Sequence, residues 1–151
     1  MNEPTTNTFS SRDRWPIWLW LFCLFLAASL AIAVEAALGK NLAWATLIAE
    51  NFLLIWAALS TPLLIEVSEK ELSVGSARID RGFITAITPL NSREMALIRG
   101  RDANPLCWMA LRFWVSTGVK IEIADPRDPT PYWLVSTKRA VALATALNQK
   151  L

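Results

Sequence analysis

The chain contains no histidine, two cysteines, one tyrosine and five glycines in 151 residues. Without histidine, the commonest general acid–base near neutral pH and the commonest neutral metal ligand are both missing. Cys23 lies inside an apolar run and Cys107 far beyond it, so they supply neither a disulfide framework nor a thiolate metal site. Free thiols fit a reducing compartment. Fifteen basic and thirteen acidic residues leave a net charge of +2, with no run of one sign. That excludes the electrostatic footprint of a nucleic-acid binder. Glycine-rich phosphate loops, the GxSxG elbow and Cys–His pairs are absent, and serine or threonine nucleophiles lack a histidine partner. No catalytic constellation is expected, and no cofactor or metal is implied.

What the chain has is apolar length. Its hydrophobic residues make up 54% of the sequence, and the excess lies between Trp15 and Ile65. Pro16 to Ala37 is interrupted only by Ser29 and Glu35, enough to cross a hydrocarbon core of roughly 30 Å as a helix. Pro16 suits a first helical position, and Trp15, Trp18 and Trp20 crowd that end, as interfacial indoles do. Gly39, Lys40 and Asn41 form a short turn. A second run, Leu42 to Ser60, stops before Pro62. The pattern predicts a two-helix membrane hairpin in contact with the lipid bilayer. Arg12 and Arg14 precede it and Lys40 stands alone in the turn, so both termini are expected in the cytoplasm, at the plasma membrane. A cleaved signal peptide ending near Ala31-Ile32-Ala33 is the competing reading; a second span following almost at once favours the uncleaved hairpin. Ala27 with Ala31, and Ala45 with Ala49, mark a close-packing face.

Glu50 is the unusual residue of the hairpin. A carboxylate at that depth is costly unless paired, hydrated or protonated. Two readings follow. Glu50 is a proton or ligand site, or it is a neutral carboxyl bonded to Ser29, Asn51 or a partner subunit. One acid without a basic partner cannot make a relay, which favours the second.

From Glu66 onward the composition is that of an ordinary folded domain. Short strands are expected at Leu63–Ser68, Leu72–Val74, Ala77–Asp80 and Phe83–Thr88, punctuated by Gly75 and Gly82. Asn91 and Glu94 form a capping box for a helix ending at Arg99. Leu106–Val115 reads as a strand rich in large apolar groups. Val119–Ile123 alternates with period two, Tyr132–Thr137 is a further strand, and Lys138–Lys150 is an amphipathic helix. The expected fold class is a membrane α-helical hairpin plus an α+β domain. Its bent antiparallel sheet, a pleckstrin-homology-like roll, is closed by the C-terminal helix. Residues 1–14 are expected as a cytoplasmic tail, 15–62 as the hairpin, and 63–151 as the domain. A fragment from about Ile65 is expected to fold alone, with Trp108, Trp114 and Trp133 in its core.

Two segments, Leu72-Ser73-Val74-Gly75-Ser76-Ala77-Arg78-Ile79 and Asp125-Pro126-Arg127-Asp128-Pro129-Thr130-Pro131-Tyr132-Trp133-Leu134-Val135-Ser136-Thr137, carry a resemblance. With the paired helices and the Trp-rich entry, the chain resembles an actinobacterial family of uncharacterised two-pass membrane proteins, domain of unknown function 3093. Lys138-Arg139-Ala140 departs from the Arg-Arg-Pro expected before the last helix. The resemblance implies architecture and no activity. In the Asp-Pro segment, Asp125, Arg127, Asp128 and Tyr132 either display charge on a stiff loop or form a hairpin connection, in which Asp initiates turns and Pro fixes φ; the second is favoured. Arg78, Arg81, Arg99, Arg101 and Arg112 make up the candidate interaction surface. Three roles remain: a tethered module that holds a partner protein or lipid headgroup at the membrane, an accessory subunit of a larger membrane complex, or a membrane enzyme or transporter component.

Overall fold

The computed structural model describes residues 9–148. The chain divides into two compact units. One is the stretch Arg14–Pro62; the other joins the segment ending at Asp13 to everything from Leu63 onward.

The Arg14–Pro62 unit is two antiparallel helices, α1 (Ile17–Leu38) and α2 (Lys40–Ser60), separated by Gly39 alone. Gly39 has φ 92°, a conformation that residues with a Cβ avoid, which is why so short a turn needs glycine here. At 1.5 Å per residue the helices are about 33 and 32 Å long. Both are long and apolar enough to cross a membrane. At the open end of the hairpin the Trp15 indole donates to the Thr61 hydroxyl at 2.7 Å, and that hydroxyl donates to the Ala57 carbonyl. Leu19, Ala27 and Ala43 are buried along the seam. Ala27 faces the partner helix as expected, whereas Ala45 and Ala49 are exposed. Counting from Ala43 at roughly 100° per residue brings Leu47 and Glu50 back to the seam and turns Ala45 and Ala49 away from it.

The other unit begins with a strand that the sequence concealed. β1 (Phe9–Asp13) pairs antiparallel with β2 (Leu63–Val67), from Phe9 opposite Val67 to Asp13 opposite Leu63. The expected N-terminal tail is therefore, over these five residues, part of a sheet. β3 (Glu71–Val74) and β4 (Ala77–Asp80) complete a meander in the order β1-β2-β3-β4. A 3-10 turn, Arg81–Phe83, leads to β5 (Ile84–Leu90), and α3 (Ser92–Arg99) follows with the expected Asn91–Glu94 capping box. The second sheet adds β6 (Trp108–Ala110), β7 (Gly118–Ile123) and β8 (Tyr132–Ser136), in the order β5-β7-β8-β6, before α4 (Ala140–Asn148). The pairs are antiparallel except β6 with β8, which run parallel. An α+β fold results, with one parallel pair where a wholly antiparallel sheet was expected.

The main core gathers Ile65, Val67, Leu72 and Val74 from the first sheet, Val119, Ile121, Trp133 and Val135 from the second, and Leu143 and Leu147 from α4. A smaller core packs Met95 of α3 with Leu90, Tyr132 and Leu134. β8 thus has both faces covered and all five residues buried, as its unbroken apolar run requires. Gly118 lets this packing close up, because a Cβ there would strike the Val135 carbonyl and Met95.

The expected strand Leu106–Val115 shrinks to three residues. Beyond Ala110 the chain turns, with the Val115 N–H donating to the Arg112 carbonyl at 2.9 Å. Phe113 is exposed and Trp114 half-buried in that turn, their rings edge to face at 4.8 Å. Trp114 is thus not the deep core residue it was expected to be. Trp133 is, and it carries the half-buried Trp108 at 4.5 Å.

A fragment starting at Ile65 lacks β1 and leaves the β2 edge open, inviting association. Asp13 and Leu63 are register partners, so a two-residue Asn-Gly turn can replace residues 14–62. The chain so closed should be soluble without detergent and unfold in one cooperative thermal transition. The fragment from Ile65 should aggregate or melt without cooperativity. Equal behaviour of the two would remove β1 from the fold.

Candidate functional site

Three regions carry chemistry: the helix seam, the Asp-Pro loop with Tyr132, and the end of the second unit where α4 begins. In the seam, one carboxylate oxygen of Glu50 is buried with no hydrogen-bond partner among the described residues. The partners expected for it are engaged elsewhere. The Ser29 hydroxyl donates to the Phe25 carbonyl at 2.8 Å, from an exposed position, and the Asn51 amide donates to the Leu47 carbonyl at 2.8 Å. Each side chain bonds back to its own helix, four residues earlier, a habit of small polar groups in apolar helices.

The Asp-Pro loop joins β7 to β8 and is closed on itself. Asp125 accepts from the Arg127 backbone N–H at 2.9 Å and from its guanidinium at 3.2 and 3.3 Å. The Arg127 hydrogen bonds hold the Asp125 carboxyl below the usual aspartate range. Asp128 is lowered likewise by Thr130, whose hydroxyl donates at 2.6 Å and whose N–H donates at 2.9 Å. Arg127 also lies over the Phe83 ring at 5.4 Å. These contacts build the turn, and the hairpin-connection reading fits them.

Tyr132 is buried in the smaller core with Met95 of α3. The Asn104 N–H donates to its oxygen at 3.3 Å, and the Lys120 ammonium sits 4.9 Å from the ring centroid while pairing with Glu122 at 2.7 Å. Burial, and then the neighbouring Cys107 thiol, push the phenol above its ordinary value.

The five arginines proposed as one surface stand on separate elements. Arg78 is exposed on β4, opposite Ser73. Arg81 is turned back onto the fold, where its guanidinium donates to the Leu147 carbonyl at 2.6 Å and to the Ser68 carbonyl at 3.3 Å. It thereby satisfies the C-terminal end of α4, where a cation is favoured. Arg99 is exposed at the end of α3, Arg101 pairs with Asp102 at 2.9 Å, and Arg112 donates to the Leu111 carbonyl at 2.9 Å. Among the described residues no cluster of three Cys, Asp or Glu side chains could hold a metal ion.

At the start of α4 lies a clasp that the sequence does not announce. Asp13 is buried, and its carboxylate accepts from the Lys138 N–H at 3.3 Å; the Arg139 guanidinium lies over the Phe9 ring at 5.0 Å. The Thr137 hydroxyl accepts from the Arg139 N–H at 3.1 Å. The Lys138 N–H lies two residues before the first residue of α4, so Asp13 holds the segment that enters the helix. Beside this clasp runs an open groove of about 480 Å³, walled by Leu90, Asn91, Glu94, Lys138 and Val141.

Tyr132 is the sole tyrosine, so an alkaline absorbance titration reads it alone. In the native protein the tyrosinate band should rise above pH 10.0, and in denaturant it should rise near that ordinary value. A raised folded-state value means that Tyr132 contributes stability below pH 10.0, lost as pH climbs through the raised value. Coincident titrations would place the phenol in water.

A comparison with protein families matches residues 8–147 to the family described as Protein of unknown function (DUF3093). Neither curated proteins nor solved structures give a match. The matched stretch begins one residue before β1 and runs nearly to the end of α4, so it takes in strand, hairpin and sheets together. The chain belongs to the DUF3093 family.

Proposed function

We propose that this protein is a non-catalytic, membrane-anchored binding module. Its hairpin spans the bilayer twice, and its α+β unit holds a partner protein or lipid headgroup at the inner face of the cell membrane, with both termini cytoplasmic. One observation carries the reading: the hairpin is inserted between two paired strands. Strands paired residue by residue lie in one compartment, so the chain between them crosses a bilayer an even number of times. The helices' outer surfaces support the same reading. Ile17, Phe25, Ile48 and Phe52 are each at least two-thirds exposed, a density of apolar surface that water does not tolerate on a monomer. Cleavage of a signal peptide near Ala33 would part β1 from β2, which speaks for the uncleaved hairpin. The two sheets closed by α4 are read as a pleckstrin-homology-like roll in which β1 precedes the hairpin. The groove beside Lys138 is the candidate partner surface.

An accessory subunit of a larger membrane complex is the second reading. The unpartnered Glu50 oxygen favours it, because a neighbouring helix could supply the missing hydrogen bond.

With Cys23 and Cys107 replaced by alanine, Lys40→Cys should be labelled by an impermeant maleimide from outside intact cells. A cysteine added at the C-terminus should react only after permeabilisation, and its labelling from outside would overturn the topology. Purification in mild detergent separates the two roles. A partner held in fixed stoichiometry and lost in Glu50→Leu supports the accessory subunit. A partner kept by Glu50→Leu but lost in Lys138→Glu supports the tethered module.

A further inference from the structure

The packing of α1 on α2 leaves a groove open near the turn of the hairpin. Its volume is about 260 Å³, and Ala28, Ala31, Trp44 and Leu47 form its apolar wall. Glu35 and Lys40 line the same groove, and among the described residues neither side chain has a hydrogen-bond or ion-pair partner. The two charges sit at the turn, in the last turn of α1 and the first residue of α2. Ala28 lies seven residues before Glu35, about 10 Å further along the helix. The groove is therefore charged at the end of the hairpin and apolar towards its middle.

Its shape and polarity fit one kind of molecule. A carboxylate and an ammonium that share a groove without pairing leave room for a ligand with the opposite charges in the complementary order. The apolar wall behind them takes a hydrocarbon chain. Trp44 is exposed at the rim, at the level where indole rings favour the headgroup zone. Resting on the reading of the hairpin as membrane-spanning, we propose that this groove binds a phospholipid with a primary-amine headgroup from the leaflet at the turn. Lys40 donates to the lipid phosphate, Glu35 accepts from the lipid ammonium, and one acyl chain lies along Ala28, Ala31 and Leu47. A choline headgroup offers Glu35 no N–H donor, and a glycerol headgroup offers it no cation.

The experiment uses the full chain, reconstituted in bilayers of equal parts phosphatidylethanolamine, phosphatidylcholine and phosphatidylglycerol. The protein is extracted in mild detergent and its retained lipid counted by native mass spectrometry. Wild type should retain phosphatidylethanolamine in preference to the other two. Lys40→Gln should lower total retained phospholipid about fivefold, the effect of one interfacial cation. Glu35→Gln should abolish the headgroup preference while leaving phosphatidylglycerol retention intact, and Ala31→Phe should empty the groove. Equal retention of the three lipids by wild type would overturn the proposal, as would unchanged profiles in Lys40→Gln and Glu35→Gln, both exposed substitutions that leave the seam alone. Carbonate extraction of the same membranes tests the anchor separately. Protein that stays in the pellet but shows no lipid preference loses only the lipid site, whereas protein released to the supernatant loses the membrane reading itself.

Discussion

The pairing of Phe9–Asp13 with Leu63–Val67 is the constraint on which the other features depend. It brings together two segments that the whole hairpin separates in sequence. Closing a floppy loop of that length is opposed by chain entropy, but a stiff antiparallel helix pair returns the chain close to where it left. The Trp15–Thr61 bond closes the base of that pair, and two residues before Trp15 the register partners Asp13 and Leu63 begin the sheet. The strand then reaches the far end of the sequence. Asp13 accepts from the Lys138 N–H, just before α4, and Phe9 takes the Arg139 cation. From the other end of α4, Arg81 satisfies the last carbonyls. The closing helix is thus fixed at both ends by polar contacts and in its middle by Leu143 and Leu147.

This arrangement explains which parts of the fold were legible in the sequence. The hairpin was, because two long apolar runs with a glycine between them have few other solutions. So was α3, because Asn91 and Glu94 make both halves of a capping box, and so was β7, whose alternation has period two. β1 was not. Its inward residues are Phe9, Ser11 and Asp13, and only the first is apolar, so the periodicity that identifies strands is absent. Among the described residues, its inward carboxylate finds a donor only at the Lys138 N–H, over a hundred residues away. In Leu106–Val115 the error ran the other way. Its apolar residues invited a long strand, yet they divide between a short edge strand, the smaller core and an exposed turn.

The candidate site was legible in its chemistry and less so in its assignments. Arginines 81, 101 and 112 looked like a surface, but each guanidinium meets a group of the chain itself. The acids of the Asp-Pro loop lower their own protonation range by bonding within the loop. One carboxylate oxygen of Glu50 is buried without a partner among the described residues, while its expected partners bond to their own helices. Glu35 and Lys40 stand on either side of the turn, where no sequence pattern links them. Only the structure places them on one groove.

The central claim is that the strand before the hairpin and the strand after it form one sheet. Disulfide trapping in native membranes tests it most directly. Arg12 and Leu64 are register partners, and both are exposed. With Cys23 and Cys107 replaced by alanine, Arg12→Cys combined with Leu64→Cys should cross-link rapidly within one chain under mild oxidation. Arg12→Cys combined with Arg78→Cys, on the far edge strand of the same sheet, should not. Absence of the first cross-link, or equal yields of the two, would contradict the account.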